Sequence, residues 1–178
     1  MQFKLTTIYY VLVAIVSIIP YPWWYYSVGG IVTIEDSPFQ VLIYFLGTRL
    51  ILSDVLTFLL TAFRLYVFVV AVGYAFQSMR GNPKVYSTMF WFPVLYVLDP
   101  ILIYVLFKFI PQLLGVPIQY PFFIWGTETF TSSFKGNQVI AEVISYPTLI
   151  YWFALGTAIL YPFSRWEIRA SRRKARQP

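Results

Sequence analysis

The chain has 178 residues, 59% of them hydrophobic and 11% charged, with a mean hydropathy of +0.68 and a net charge of +6. A soluble domain carries about 25% charged residues, so the composition argues against a water-coated globule and predicts an integral membrane protein. With no cysteine and no histidine, it excludes disulfides, thiolate nucleophiles, Cys/His metal sites, histidine haem ligation and His-based acid–base chemistry.

The first predicted element is an apolar span over residues 5–20, behind Lys4. A basic start before an apolar core also suits a signal peptide, but no small-residue cleavage pattern follows it. Pro20-Tyr-Pro-Trp-Trp-Tyr-Tyr26 follows instead, which reads as a retained helix ending in an interfacial aromatic cluster. Residues 21–52 make a first long loop, in which Val28–Ile34 and Gln40–Leu46 flank the turn formers Glu35-Asp-Ser-Pro38. Two β-prone runs joined by a polar turn predict a hairpin outside the membrane. The rival is an interfacial helix capped by Ser37 and begun by Pro38.

The second and third spans, 53–79 and 86–110, are separated by Arg80-Gly-Asn-Pro-Lys84. The second is roughly 39 Å long at 1.5 Å per residue, enough to cross with some tilt. The third contains Pro93 and Pro100 and is closed by Pro111. A second long loop, 111–145, begins Pro-rich and aromatic and then turns β-prone around Gly136-Asn137. That pair suits a hairpin turn, and Asn137 equally suits a helix cap. The fourth span covers 146–164 and the basic tail 165–178. The expected fold is an all-α integral membrane protein: one domain over 1–178, a four-helix transmembrane bundle whose two long outer loops form a small β-rich cap.

Charge gives the orientation. Lys4, Arg80, Lys84 and the six basic residues after Ser164 fall on one side, against Arg49, Lys108 and Lys135 on the other. Glu35, Asp36, Glu128 and Glu142 accompany the second group and Glu167 alone the first. The positive-inside rule then puts both termini in the cytoplasm. The two halves differ in loop length and charge placement, which weakens an inverted-repeat transporter reading.

Arg64 and Asp99 are the leading site candidates. Arg64 lies 16 residues before Arg80 and Asp99 lies 15 after Lys84, so an antiparallel hairpin places them at matching depth. A charge at mid-bilayer costs about 2.5 kcal/mol or more and seeks a partner. The pair reads either as a structural clasp or as part of an ion or proton pathway, although a pathway needs more polar lining than Thr57, Thr61, Tyr66, Tyr96 and Tyr104 supply. Thr57 and Thr61 share a helix face with Arg64 and can bond across helices or to their own i−4 carbonyls. Asp54 and Lys108 match in depth at the outer interface. Asp99 and Lys108 nevertheless lie about 180° apart on a straight helix, and Lys108 can snorkel to headgroups alone. Ala154, Gly156 and Ala158 form a small-residue patch suited to close helix packing. Arg165, Arg169, Arg172, Arg173, Lys174 and Arg176 can contact anionic lipid headgroups or an acidic partner, or act simply as an orientation signal.

No nucleophile motif, phosphate-binding glycine loop or nucleotide fingerprint is present, and no cofactor, metal site or nucleic-acid partner is expected. The predicted partners are the bilayer and other membrane subunits or a second copy. The four-span layout with a β-prone first outer loop resembles claudin-like tetraspan proteins in topology alone, without the cysteine-bearing first-loop signature of that family. The favoured function is a non-catalytic accessory or assembly subunit of a membrane complex. The alternatives are a small transporter or channel using Arg64 and Asp99, an adhesion or barrier protein of the claudin-like layout, and, last, an enzyme acting on lipid or quinone.

Overall fold

The structure is a computed structural model that describes residues 3–83, 98–105, 108–109, 123–134 and 137–174. The elements run α1 (Lys4–Ile18), β1 (Trp24–Val28), β2 (Val32–Ser37), β3 (Gln40–Phe45), β4 (Thr48–Arg49), α2 (Ile51–Met79), α3 (98–105), β5 (Gly126–Phe134), β6 (Asn137–Pro147) and α4 (Leu149–Lys174). All six strands join one antiparallel sheet in the order β4-β3-β2-β1-β6-β5. The expected all-α four-helix bundle is therefore wrong: the protein is mixed α and β.

Local chemistry explains the first four strands. Gly29 and Gly30 take positive φ between β1 and β2, and Gly47 does so between β3 and β4, the backbone sign that tight turns demand and glycine tolerates. The segment after Pro38 is strand β3, not an interfacial helix. The sheet as a whole is held by a non-local pairing. β1 lies beside β6, with Trp24 opposite Pro147 and Val28 opposite Val143, so the two long loops contribute to one sheet.

That pairing also corrects the spans. Among the described residues one helix, α2, is long and apolar enough to cross a membrane: it has 29 residues and an 18-residue stretch of mean hydropathy 2.3 that is 11% buried. α1 ends at Ile18 after 15 residues, about 22 Å and short of the ~30 Å hydrocarbon core. The expected span 146–164 loses Tyr146 and Pro147 to β6, and its helix starts at Leu149 and reaches Arg165 within 16 residues. Most of the expected span 86–110 lies outside the described residues.

The helices form a layer with α1 between α2 and α4. α1 and α2 run antiparallel, since Thr7 Oγ1 near the start of α1 lies 3.1 Å from Ser78 Oγ at the end of α2. α2 meets α1 through a narrow stripe, Val67, Ala71, Ala75 and Ser78, all buried, at spacings of about one turn. Tyr9, Tyr10 and Val13 fill the contact from α1. A second core lies on one face of the sheet, where Trp24, Tyr26, Val28, Ile34, Ala141 and Val143 pack with Ile103 of α3.

Candidate functional site

Alternation along β2 decides which acid is buried. Ile34 is on the inner face, so Asp36, two residues on, joins it. Asp36 is 1% exposed, and its strand neighbours in register are Trp24 and Val41, neither charged. Facing it is the carboxyl of Asp99, at the start of the described part of α3, close enough for the two acids to interact. Asp99 is half-buried as a residue, but its Oδ2 is fully enclosed.

Both oxygens of Asp36 and Oδ2 of Asp99 are buried without a full hydrogen bond, and the one donor that acts on Asp36 among the described residues is the Ser37 amide. Ionised carboxylates only accept hydrogen bonds, so their contact becomes an O–H···O bond once one of the two carries a proton. Burial, and after it the charge of Asp99, holds the Asp36 carboxyl well above the ordinary carboxylate range. The two titrate as a unit. What this pair can do chemically is bind one proton out of contact with water. Among the described residues no group of three or more acidic, histidine or cysteine side chains is placed to hold a metal ion.

Arg64 and Asp99 are not brought together. Arg64 Nη2 donates to Gln40 Oε1 at 3.2 Å, and among the described residues no carboxylate acts on its guanidinium. The reason lies in α2, whose residues 53, 57 and 64 fall within about 40° of one another. Ser53 Oγ accepts from the Ile43 amide (2.7 Å) and donates to its carbonyl (3.2 Å), Thr57 Oγ1 donates to the Val41 carbonyl (3.0 Å), and Arg64 continues the row to Gln40. This face of α2 lies along β3, beyond the two-residue strand β4. Thr61 bonds to its own i−4 carbonyl at Thr57, 2.7 Å away.

Asp54 and Lys108 also stay apart. Asp54 forms a 2.7 Å ion pair with Arg49, the single salt bridge among the described residues, and Lys108 Nζ donates to the Tyr104 hydroxyl. In α4, Ala154 and Ala158 are buried with Thr157 between them, while Gly156 faces open space. The packing patch is therefore Ala154-Thr157-Ala158.

In the tail, Arg165, Arg169 and Arg172 line one hollow around Ile168, and the Arg165 guanidinium lies 5.8 Å from the Tyr161 ring centre. Arg173 is exposed. The Lys174 side chain and Arg176 lie outside the described residues.

Sequence reasoning missed two residues. Asp36 was placed in a turn because Glu35-Asp-Ser-Pro38 has turn composition, and only the strand alternation from Ile34 marks it as inward. Glu167 enters the sequence reading only as the one acid on the basic side. Its carboxylate instead accepts from the Leu5 amide (3.2 Å), the Thr6 amide (2.8 Å) and Thr6 Oγ1 (2.8 Å), capping α1 from α4.

No protein-family model, curated protein or solved structure matches the chain. The resemblance to claudin-like proteins is accordingly carried no further.

Proposed function

We propose that this chain is a non-catalytic accessory or assembly subunit embedded in a membrane through α2. The observation that carries this reading is the exposure of α2. Ile51, Phe58, Leu59, Leu65 and Val69 are each more than half exposed on a helix whose buried stripe is one residue wide per turn. Apolar area of that extent along a 29-residue helix is sustained by lipid or by partner helices and not by water. α1 adds Ile8, Val11, Ile15 and Ile18 on its own free side.

The distribution of charge supports an orientation. The start of α1, the end of α2 and the Glu167 turn of α4 meet at one end of the helical layer, so Lys4, Arg80 and the arginines of α4 gather there. That end is the one the positive-inside rule assigns to the cytoplasm, and the arginine row around Ile168 suits anionic headgroups. Near the opposite end of α4, Trp125 and Trp152 pack edge to face at 5.8 Å and stay largely exposed, as interfacial aromatics do.

The test has two arms. Alkaline carbonate washing of membranes should leave the chain in the pellet. Purification in a mild detergent followed by mass spectrometry should recover stoichiometric companion chains. Release into the wash removes the membrane reading, and recovery as a lone monomer removes the subunit reading.

A further inference from the structure

We infer that Asp36 and Asp99 are a one-proton latch: the proton between them fastens α3 to the inner face of the sheet, and its departure lets α3 leave Trp24 and Tyr26. The inference does not depend on the membrane reading, because it concerns the sheet and the helix laid on it.

Most apolar side chains of α3 stay exposed. Ile103 is its buried anchor, at 9% exposure among Trp24, Tyr26, Val28 and Ile34. Leu98, Ile101, Leu102 and Val105 are all 41–51% exposed. Asp99 precedes Ile103 by four residues, so carboxyl and anchor share one helix face. The face that docks Ile103 thus also brings the Asp99 carboxyl to Asp36.

The surroundings make that contact depend on a proton. On β1 and β3 the residues in register with Asp36 are Trp24 and Val41, which bring no charge. From α4 the Tyr151 phenol stands within electrostatic range of Asp99 and is neutral in its ordinary state. Among the described residues no basic side chain acts on either carboxyl, and Arg64 of α2 is engaged by Gln40. With one proton present, the pair makes an O–H···O bond between β2 and α3. With none, two buried like charges face each other without a counter-ion, and the least costly relief is for α3 to lift and let water reach them. The proton leaves to solvent and no other bond changes.

The absence of native cysteine makes the test clean. Ile103→Cys reports the docked face, Ile101→Cys (47% exposed) corrects for the intrinsic pH dependence of thiol labelling, and Ala71→Cys (0% exposed) reports the helical core. Each is labelled with a water-soluble thiosulfonate in the purified full chain. The labelling rate at position 103 relative to 101 should rise about tenfold or more between about pH 5 and about pH 9, while position 71 stays protected. In Asp36→Asn or Asp99→Asn backgrounds the amide brings a donor and no charge, and the ratio should stay low and flat. A flat ratio with both carboxyls in place overturns the latch. So does a parallel rise at position 71, which means global unfolding, or an undiminished rise in the Asn backgrounds. Should both Asn variants fail to fold, the comparison of positions 103, 101 and 71 with both acids present decides alone.

Discussion

Glu167 holds three donors at the start of α1, and no side chain within α1's own N-terminal turn caps it. A carboxylate there satisfies orphan amides and meets the positive end of the helix dipole. Glu167→Ala should therefore destabilise the protein by about 1–2 kcal/mol, read as a lower melting temperature in detergent, and Glu167→Gln by less. Asp36 sets a second expectation. Its folded-state carboxyl titrates above its unfolded value near 3.9, so the folded chain keeps a proton that the unfolded chain gives up. The associated stability is complete below about pH 4 and is lost as pH rises through the folded-state value. Thermal melts of the native chain should fall in midpoint across that window, and those of Asp36→Asn should not follow. Neither acid was legible as special in the sequence. One looked like a turn residue and the other like the sole acid in a basic tail, because both acquire their roles from groups 63 and about 160 positions away.

At the scale of elements, α2 does two jobs with two faces. Val67, Ala71 and Ala75 admit α1 closely, Ser53 and Thr57 supply the β3 backbone with hydrogen bonds that an adjoining strand would otherwise make, and Arg64 adds one to the Gln40 side chain. Ser53 is fully buried, so Ser53→Ala, which orphans the Ile43 amide while its carbonyl keeps the Leu50 amide, should cost about 1–3 kcal/mol. Partnering with a neutral amide also predicts that Arg64→Leu and Asp99→Leu behave independently. Their double-mutant coupling in unfolding experiments should be about 0.5 kcal/mol or less, and a coupling of about 3 kcal/mol would restore the hairpin clasp. The sequence did reveal α2 as an unbroken apolar run with a polar stop at Arg80, and also the β-prone runs that became β2 and β3. It hid the sheet that unites them, since the pairing of Trp24 with Pro147 leaves no periodic trace in either segment. Matching Arg64 to Asp99 by depth failed for the same reason: the count presumed a hairpin partner for α2, whereas the first half of α2 lies along β3.

For the molecule as a whole, the decisive property is apolar surface without an internal partner. Leu65 sits at the midpoint of α2 and is 59% exposed. An aspartate at the centre of a membrane helix costs about 2.5–3.5 kcal/mol on insertion. Leu65→Asp should accordingly shift much of the chain out of carbonate-resistant membranes. A surface position on a water-soluble domain would tolerate the change or gain solubility from it, so unchanged fractionation would speak against the membrane reading.

The cap on α1 and the neighbour of β1 both come from the far end of the chain, Glu167 and β6. During synthesis the ribosome therefore releases α1 and β1 long before the residues that complete them exist. Until residue 147 has emerged, β1 has β2 on one side and an open edge on the other. Until residue 167 has emerged, the first turn of α1 lacks its carboxylate. These two elements are thus made well before they are finished, and the interval between is when a chaperone, an insertase or a companion subunit would find them incomplete.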